Sequence, residues 1–217
     1  MGWHAVSASA FLYQFHLLFT TFPDVNPAFF SFFLTIWCQG LSLLYCLLSL
    51  IADLAAPVET TKRRNLFFNT YFHVLFAMSI IVCGGFWLLW MVDPSLLMRS
   101  PVAIPPLLNH LQHTFPIFFV LGDRYFLYHN EGNFWAQFIS CLGVGGCYIA
   151  MVGKQMMDDE GGFVPYPMLE TFDTPLLFAG FAAASLLVLL GLLSFTRSYC
   201  VAYESGFAYR GVASKSQ

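Results

Sequence analysis

Ile104-Pro105-Pro106-Leu107-Leu108-Asn109-His110-Leu111-Gln112-His113-Thr114-Phe115-Pro116-Ile117-Phe118-Phe119-Val120-Leu121 is apolar at both ends and polar in its middle. The flanks suit hydrocarbon, and a membrane helix takes about 20 residues of this kind. Asn109, His110, His113 and Thr114 do not suit it. Ionisable side chains within a span are costly and by default mark functional sites. Histidine is also the side chain best placed to move a proton near neutral pH. A spanning helix with a polar cluster built into it thus sets both the fold class and the place to look for chemistry.

The rest of the chain repeats the apolar pattern. Of 217 residues, 58% are hydrophobic and 10% charged, with mean hydropathy +0.68. Soluble domains carry roughly a quarter charged residues, so the composition predicts an all-α, polytopic helix bundle in a membrane. Six segments qualify as spans, at about 5–22, 28–51, 66–92, 105–127, 134–152 and 175–195. The first is the least apolar, holding Gln14 and His16. Gly143, Gly145 and Gly146 in the fifth suit close helix approach. Pro116 falls three residues after His113 and predicts a kink beside the cluster. The net charge of −3 and the lack of a long basic run exclude nucleic acid as a partner. The six cysteines form no Cys-x-x-Cys pair and read as small buried hydrophobes.

With no internal repeat and no low-complexity linker, residues 1–217 read as one transmembrane domain with a short polar tail from about 198. Lys and Arg favour the cytosolic side. Placing both termini there puts Lys62, Arg63, Arg64, Arg124, Arg197, Arg210 and Lys215 in the cytosol, against Arg99 and Lys154 outside. The acidic loop before the last span (Asp158, Asp159, Glu160, Glu170, Asp173) then lies outside. His129, with Asp123, Arg124 and Glu131, is expected in a solvated cytosolic loop. No Asp or Glu is expected within the apolar core.

Depth along the helices brings polar residues together. Thr35 lies seven residues past Ala28 and His113 eight past Pro105, and both segments enter from the outer face. At 1.5 Å per residue both sit roughly 10–12 Å below the boundary. Gln39 shares a helix face with Thr35, and Asn109 and His110 share one with His113. A seam of Thr35, Gln39, Asn109, His110 and His113 is the candidate site. From the residues alone, proton-transfer chemistry, a histidine-held metal or haem (with His73 as a further ligand), and a non-catalytic lipid-binding or regulatory role all stay open. A metal would want three or four ligands, and few are at hand.

Leu107-Leu108-Asn109-His110-Leu111-Gln112-His113-Thr114 resembles the Trp-Leu-Asn-His-x-x-His-Thr segment of the androgen-induced gene 1 and androgen-dependent TFPI-regulating proteins. Phe33-Leu34-Thr35 resembles the segment that holds that family's threonine. Asp53-Leu54, Phe86-Trp87 and the stretch Gly162-Phe163-Val164-Pro165-Tyr166-Pro167 match more weakly but in order. The resemblance implies an integral-membrane hydrolase that cleaves fatty acid esters of hydroxy fatty acids; the sequence does not choose between plasma membrane and endoplasmic reticulum. It implies no cofactor. Its partners are lipids: the ester substrate drawn from the bilayer, and the membrane itself. Carried over residue by residue, Thr35 is the nucleophile and His113 the catalytic histidine. Asn109, His110 and Gln39 are left as supporting groups that orient the imidazole or donate to an oxyanion. Phe67-Phe68-Asn69 and Phe76-Ala77 depart from the family's Arg-Asp and Phe-Pro, and Phe163 replaces a tryptophan. These changes bear on substrate range and leave Thr35 and His113 in place.

Overall fold

The computed structural model describes residues 2–55, 66–98, 104–127, 129, 131–157, 164–172 and 174–213, with side chains as far as residue 202. Lys62, Arg63, Arg64, Arg99, Asp158, Asp159, Glu160, Phe163, Asp173 and Lys215 lie outside the described residues, as does the Arg210 side chain. The described elements are helical: α1 (Gly2–Thr21), α2 (Leu34–Ala55), α3 (Leu66–Val92), α4 (Pro106–His113), α5 (Phe115–Phe126), α6 (Phe134–Met156) and α7 (Pro175–Ala213), with short 3-10 turns at Pro27–Phe32, Pro94–Leu96 and Pro167–Thr171. Four helices are long and apolar enough to cross a membrane: α2, α3, α6 and Pro175–Ala202 of α7. The other two segments expected to span differ from these. The first, α1, has twenty residues but turns His4, Ser7 and Gln14 inward. The fourth is split between α4 and α5 at Thr114.

Helix α3 is the hub, packed against α2, α5, α6 and α7. Every residue from Phe72 to Ser79 is buried, so this stretch has no outer face. Around it, Phe11, Tyr45, Phe72, Leu75, Phe76 and Phe119 form one core, and Cys38, Val74, Ala77, Met78, Leu189 and Leu193 another. Helix α2 has the reverse of a soluble helix's pattern. Its buried residues are Thr35, Cys38, Gln39, Ser42, Tyr45, Cys46, Ser49 and Asp53, at spacings of three and four. Leu44, Leu47, Ile51 and Leu54 face outward. Lipid solvates leucine, so the polar stripe gains by turning in, where it finds partners.

Close approach of α6 to α7 rests on Gly153, where an added Cβ would come within 2.7 Å of the Phe178 ring, and on Gly145, which faces Leu186 and Leu189. Gly143 and Gly146 face open space, so they do not serve the close contact expected of them. Helix α7 runs on to Ala213 instead of ending near 195, since no proline interrupts the polar stretch that follows its apolar part.

At one end of the bundle the structure corrects the sequence reading of the charges. Asp123 is fully buried in α5, so a carboxylate does lie in the core. Its Oδ1 accepts from His4 Nε2 at 2.9 Å, and its Oδ2 accepts from His129 Nε2 and the Tyr45 hydroxyl, each at 2.8 Å. His4 Nδ1 lies 2.8 Å from Asp53 Oδ2 on the other side of the ring. His129 is buried and stacked on Phe72 at 3.9 Å, not solvated in a loop. Arg124 is likewise buried in α5, where it donates to the carbonyls of Cys200 and Leu127. A helix end that bears several charges can turn them inward when each finds a partner, and here they tie α1, α2, α5 and α7 together.

Candidate active site

Thr35 stands in the first turn of α2. The chain reaches it through the Pro27–Phe32 turn, capped by Asn26, whose side chain accepts from the Ala28 N–H at 2.9 Å. His113 ends α4. The break that follows it has a local cause in Pro116, which has no N–H to give to the carbonyl of Gln112, four residues back, and whose ring crowds that carbonyl. The freed carbonyl accepts from Gln39 Nε2 at 2.8 Å. Beside it, Trp87 Nε1 donates to the His113 carbonyl at 2.9 Å and to the Thr114 hydroxyl at 3.1 Å. The break thus exchanges helix hydrogen bonds for bonds to α2 and α3. Those bonds hold the end of α4 against both helices.

The result is a three-residue chain. Thr35 Oγ1 lies 3.3 Å from His113 Nε2. On the far side of the ring, Nδ1 lies 2.8 Å from Asn109 Oδ1 and 3.2 Å from the Asn109 carbonyl. A backbone carbonyl only accepts, so Nδ1 carries the proton whichever way the Asn109 amide is turned. In the neutral imidazole Nε2 is then the unprotonated nitrogen, and it faces the threonine hydroxyl. The ring cannot swing, because Phe86 stacks on it with centroids 3.5 Å apart and planes 7° from parallel. Thr35 is 8% exposed and His113 7%.

The structure therefore brings together Thr35 and His113, which the spacing put at one depth, and Asn109, which it put on the same helix face as His113. It separates the other candidates from the imidazole. Gln39 is spent on the carbonyls of Gln112 and Leu111, and His110 is exposed, with Nδ1 against the Thr114 hydroxyl at 3.2 Å and its ring against Trp87. His73 lies elsewhere, 3.4 Å from Thr196 on α7. Among the described residues no three His, Cys, Asp or Glu side chains converge as metal ligands.

A model of the FAR-17a/AIG1-like protein family matches residues 3–198. The chain belongs to that family. The matched residues run from α1 to near the end of the described side chains in α7, so every residue of the candidate site described above falls within them. No curated protein and no solved structure gives a significant match.

The site has contributors that depth counting along spans did not reach. Tyr166, in the segment before α7, accepts the Leu34 N–H at 3.2 Å, and its ring meets Phe33 edge-on. Tyr148 of α6 donates to the Phe32 carbonyl at 3.1 Å. Phe86 and Trp87 could have been found, since they already stood out as a matched pair late in the third span. Nothing in the spacing pointed to Tyr148.

Proposed function

We propose that the protein is an integral-membrane hydrolase of lipid carboxylic esters, with fatty acid esters of hydroxy fatty acids as its substrate class. The carrying observation is the geometry of His113, with Nδ1 within hydrogen-bond reach of Asn109 and Nε2 3.3 Å from Thr35 Oγ1; in the neutral ring this leaves Nε2 free to act as the base. A threonine hydroxyl is a weak nucleophile until a base takes its proton in the transition state. His113 is that base. Thr35 Oγ attacks the ester carbonyl as Nε2 takes the hydroxyl proton. The tetrahedral intermediate collapses, and the imidazolium returns the proton to the departing alkoxide of the hydroxy fatty acid. Water, deprotonated by the same nitrogen, then attacks the acyl-threonine; as the C–Oγ bond breaks the imidazolium returns that proton to Thr35 Oγ, and the fatty acid is released.

Asn109 fills the position of the carboxylate in a serine-type triad. It fixes the tautomer with no net charge, which suits a site bounded by apolar helices. Thr35 lies in the first turn of the 22-residue apolar helix α2, near one end of the bundle's spanning length. No cofactor enters the scheme, and the substrate arrives from the lipid.

The test is hydrolysis of a defined fatty acid ester of a hydroxy fatty acid by purified protein in lipid nanodiscs. Thr35→Ala should have no activity, and His113→Ala should lose about 10²–10⁴-fold, with both variants still inserted and monodisperse. Wild-type turnover by either variant overturns the proposal.

A further inference from the structure

Tyr166 is 131 residues from Thr35 in sequence, yet its hydroxyl touches the backbone of the same helical turn. Leu34 and Thr35 open α2, and the N–H groups of a helix's first turn have no partner within the helix. Those of Ile36 and Trp37 turn back to the Phe33 carbonyl, at 3.0 and 3.4 Å. The Leu34 N–H goes to Tyr166 Oη at 3.2 Å, and the Thr35 side chain and the Tyr148 hydroxyl face the same oxygen. A phenol that accepts through its oxygen still has its own proton to give. Here that proton is held beside the nucleophile. A carbonyl carbon bonded to Thr35 Oγ must place its oxygen within a few ångströms of this turn.

We propose that Tyr166 is a catalytic residue that donates its phenolic hydrogen bond to the ester's carbonyl oxygen as that oxygen becomes the oxyanion. The inference rests on the threonine mechanism above. During attack the C=O π electrons move onto oxygen. Tyr166 O–H donates to that oxygen without transferring its proton, and the bond relaxes as the carbonyl re-forms on expulsion of the alkoxide. The Leu34 N–H, at the positive end of α2, polarises the phenol and strengthens its donation. Burial pushes the Tyr166 phenol above its usual range, so it stays protonated across physiological pH. Such a donor contributes in the transition state more than in the ground state.

The competing account makes Tyr166 only a cap for α2, and two variants separate the accounts. Tyr166→Phe keeps the ring against Phe33 and removes the hydroxyl. As an oxyanion donor its loss should lower kcat about 100-fold with KM within twofold, and should slow fluorophosphonate labelling of Thr35 in parallel. Replacing Tyr166 with 3,5-difluorotyrosine keeps the capping oxygen but makes the phenol more acidic. Activity should then be restored at neutral pH and lost as pH rises through the fluorophenol's ionisation, a limb the wild type lacks. A Tyr166→Phe kcat within threefold of wild type, or a difluorotyrosine profile matching wild type, overturns the inference. Thr35→Ala run alongside distinguishes the two levels of failure. If Thr35→Ala still turns over, the threonine mechanism and the Tyr166 role fall together. If it is inactive while Tyr166→Phe is unimpaired, only the Tyr166 role falls.

Discussion

Asn109→Ala puts a number on how the imidazole is held. The substitution removes Oδ1, 2.8 Å from His113 Nδ1, but leaves the Asn109 backbone carbonyl 3.2 Å from the same nitrogen. The tautomer therefore keeps one acceptor, and the Phe86 stack still fixes the ring plane. What disappears is one hydrogen bond, stronger as the ring becomes imidazolium. A neutral hydrogen bond is worth about 1 to 1.5 kcal/mol net, which converts to a loss of about 5- to 13-fold in kcat. That is far smaller than the loss expected for His113→Ala, because the base itself remains. The assay is steady-state hydrolysis of the ester in nanodiscs, with each rate normalised to folded protein. An unchanged kcat would mean Asn109 does not orient the base. A loss as large as that of His113→Ala would mean the backbone carbonyl contributes nothing, and the tautomer argument would fail.

Other outcomes follow from the packing. Asp123→Asn leaves His4, Tyr45 and His129 donating toward an amide that has one acceptor oxygen. It should cost about 3–5 kcal/mol, seen as a lower thermal midpoint in detergent, and a midpoint equal to wild type would contradict the buried network. Gly153→Ala puts a methyl 2.7 Å from the Phe178 ring. It should destabilise by about 1–3 kcal/mol by the same measurement, whereas Gly146→Ala, facing open space, should not. Pro116→Ala restores an N–H that competes with Gln39 for the Gln112 carbonyl. It should straighten the α4–α5 break, draw His113 away from Thr35 and lower kcat, and a rate at or above wild type would refute the proposed role of the break.

Much of the fold was legible because lipid imposes a simple rule. Runs of about 20 apolar residues span, and the residues that violate the run turn inward, which is why the sequence places Thr35 and His113 at one depth and Gln39 on the helix face of Thr35. Counting along helices reports depth and facing on one helix, but not which neighbour a side chain meets. Gln39 and Asn109 were thus equivalent in sequence, and only the proline break, with its freed carbonyl, gives Gln39 a different partner. The charges at the His4 end were misread for a related reason. Asp123, Arg124 and His129 sit where a span meets a loop, and hydropathy cannot tell a charge in water from one paired inside. Tyr166 stands in a matched stretch, but its place beside Thr35 was not legible, because it comes from a connecting segment whose path over the bundle has no periodicity to count.

The central claim is that Thr35 becomes covalently acylated, and trapping tests it most directly. Wild-type protein in nanodiscs is treated with an alkyl fluorophosphonate, digested, and the adduct located by tandem mass spectrometry. The account predicts modification on Thr35 Oγ, blocked by prior addition of the lipid ester and absent from Thr35→Ala and His113→Ala. An adduct on any other residue, or undiminished labelling of Thr35→Ala, would contradict it.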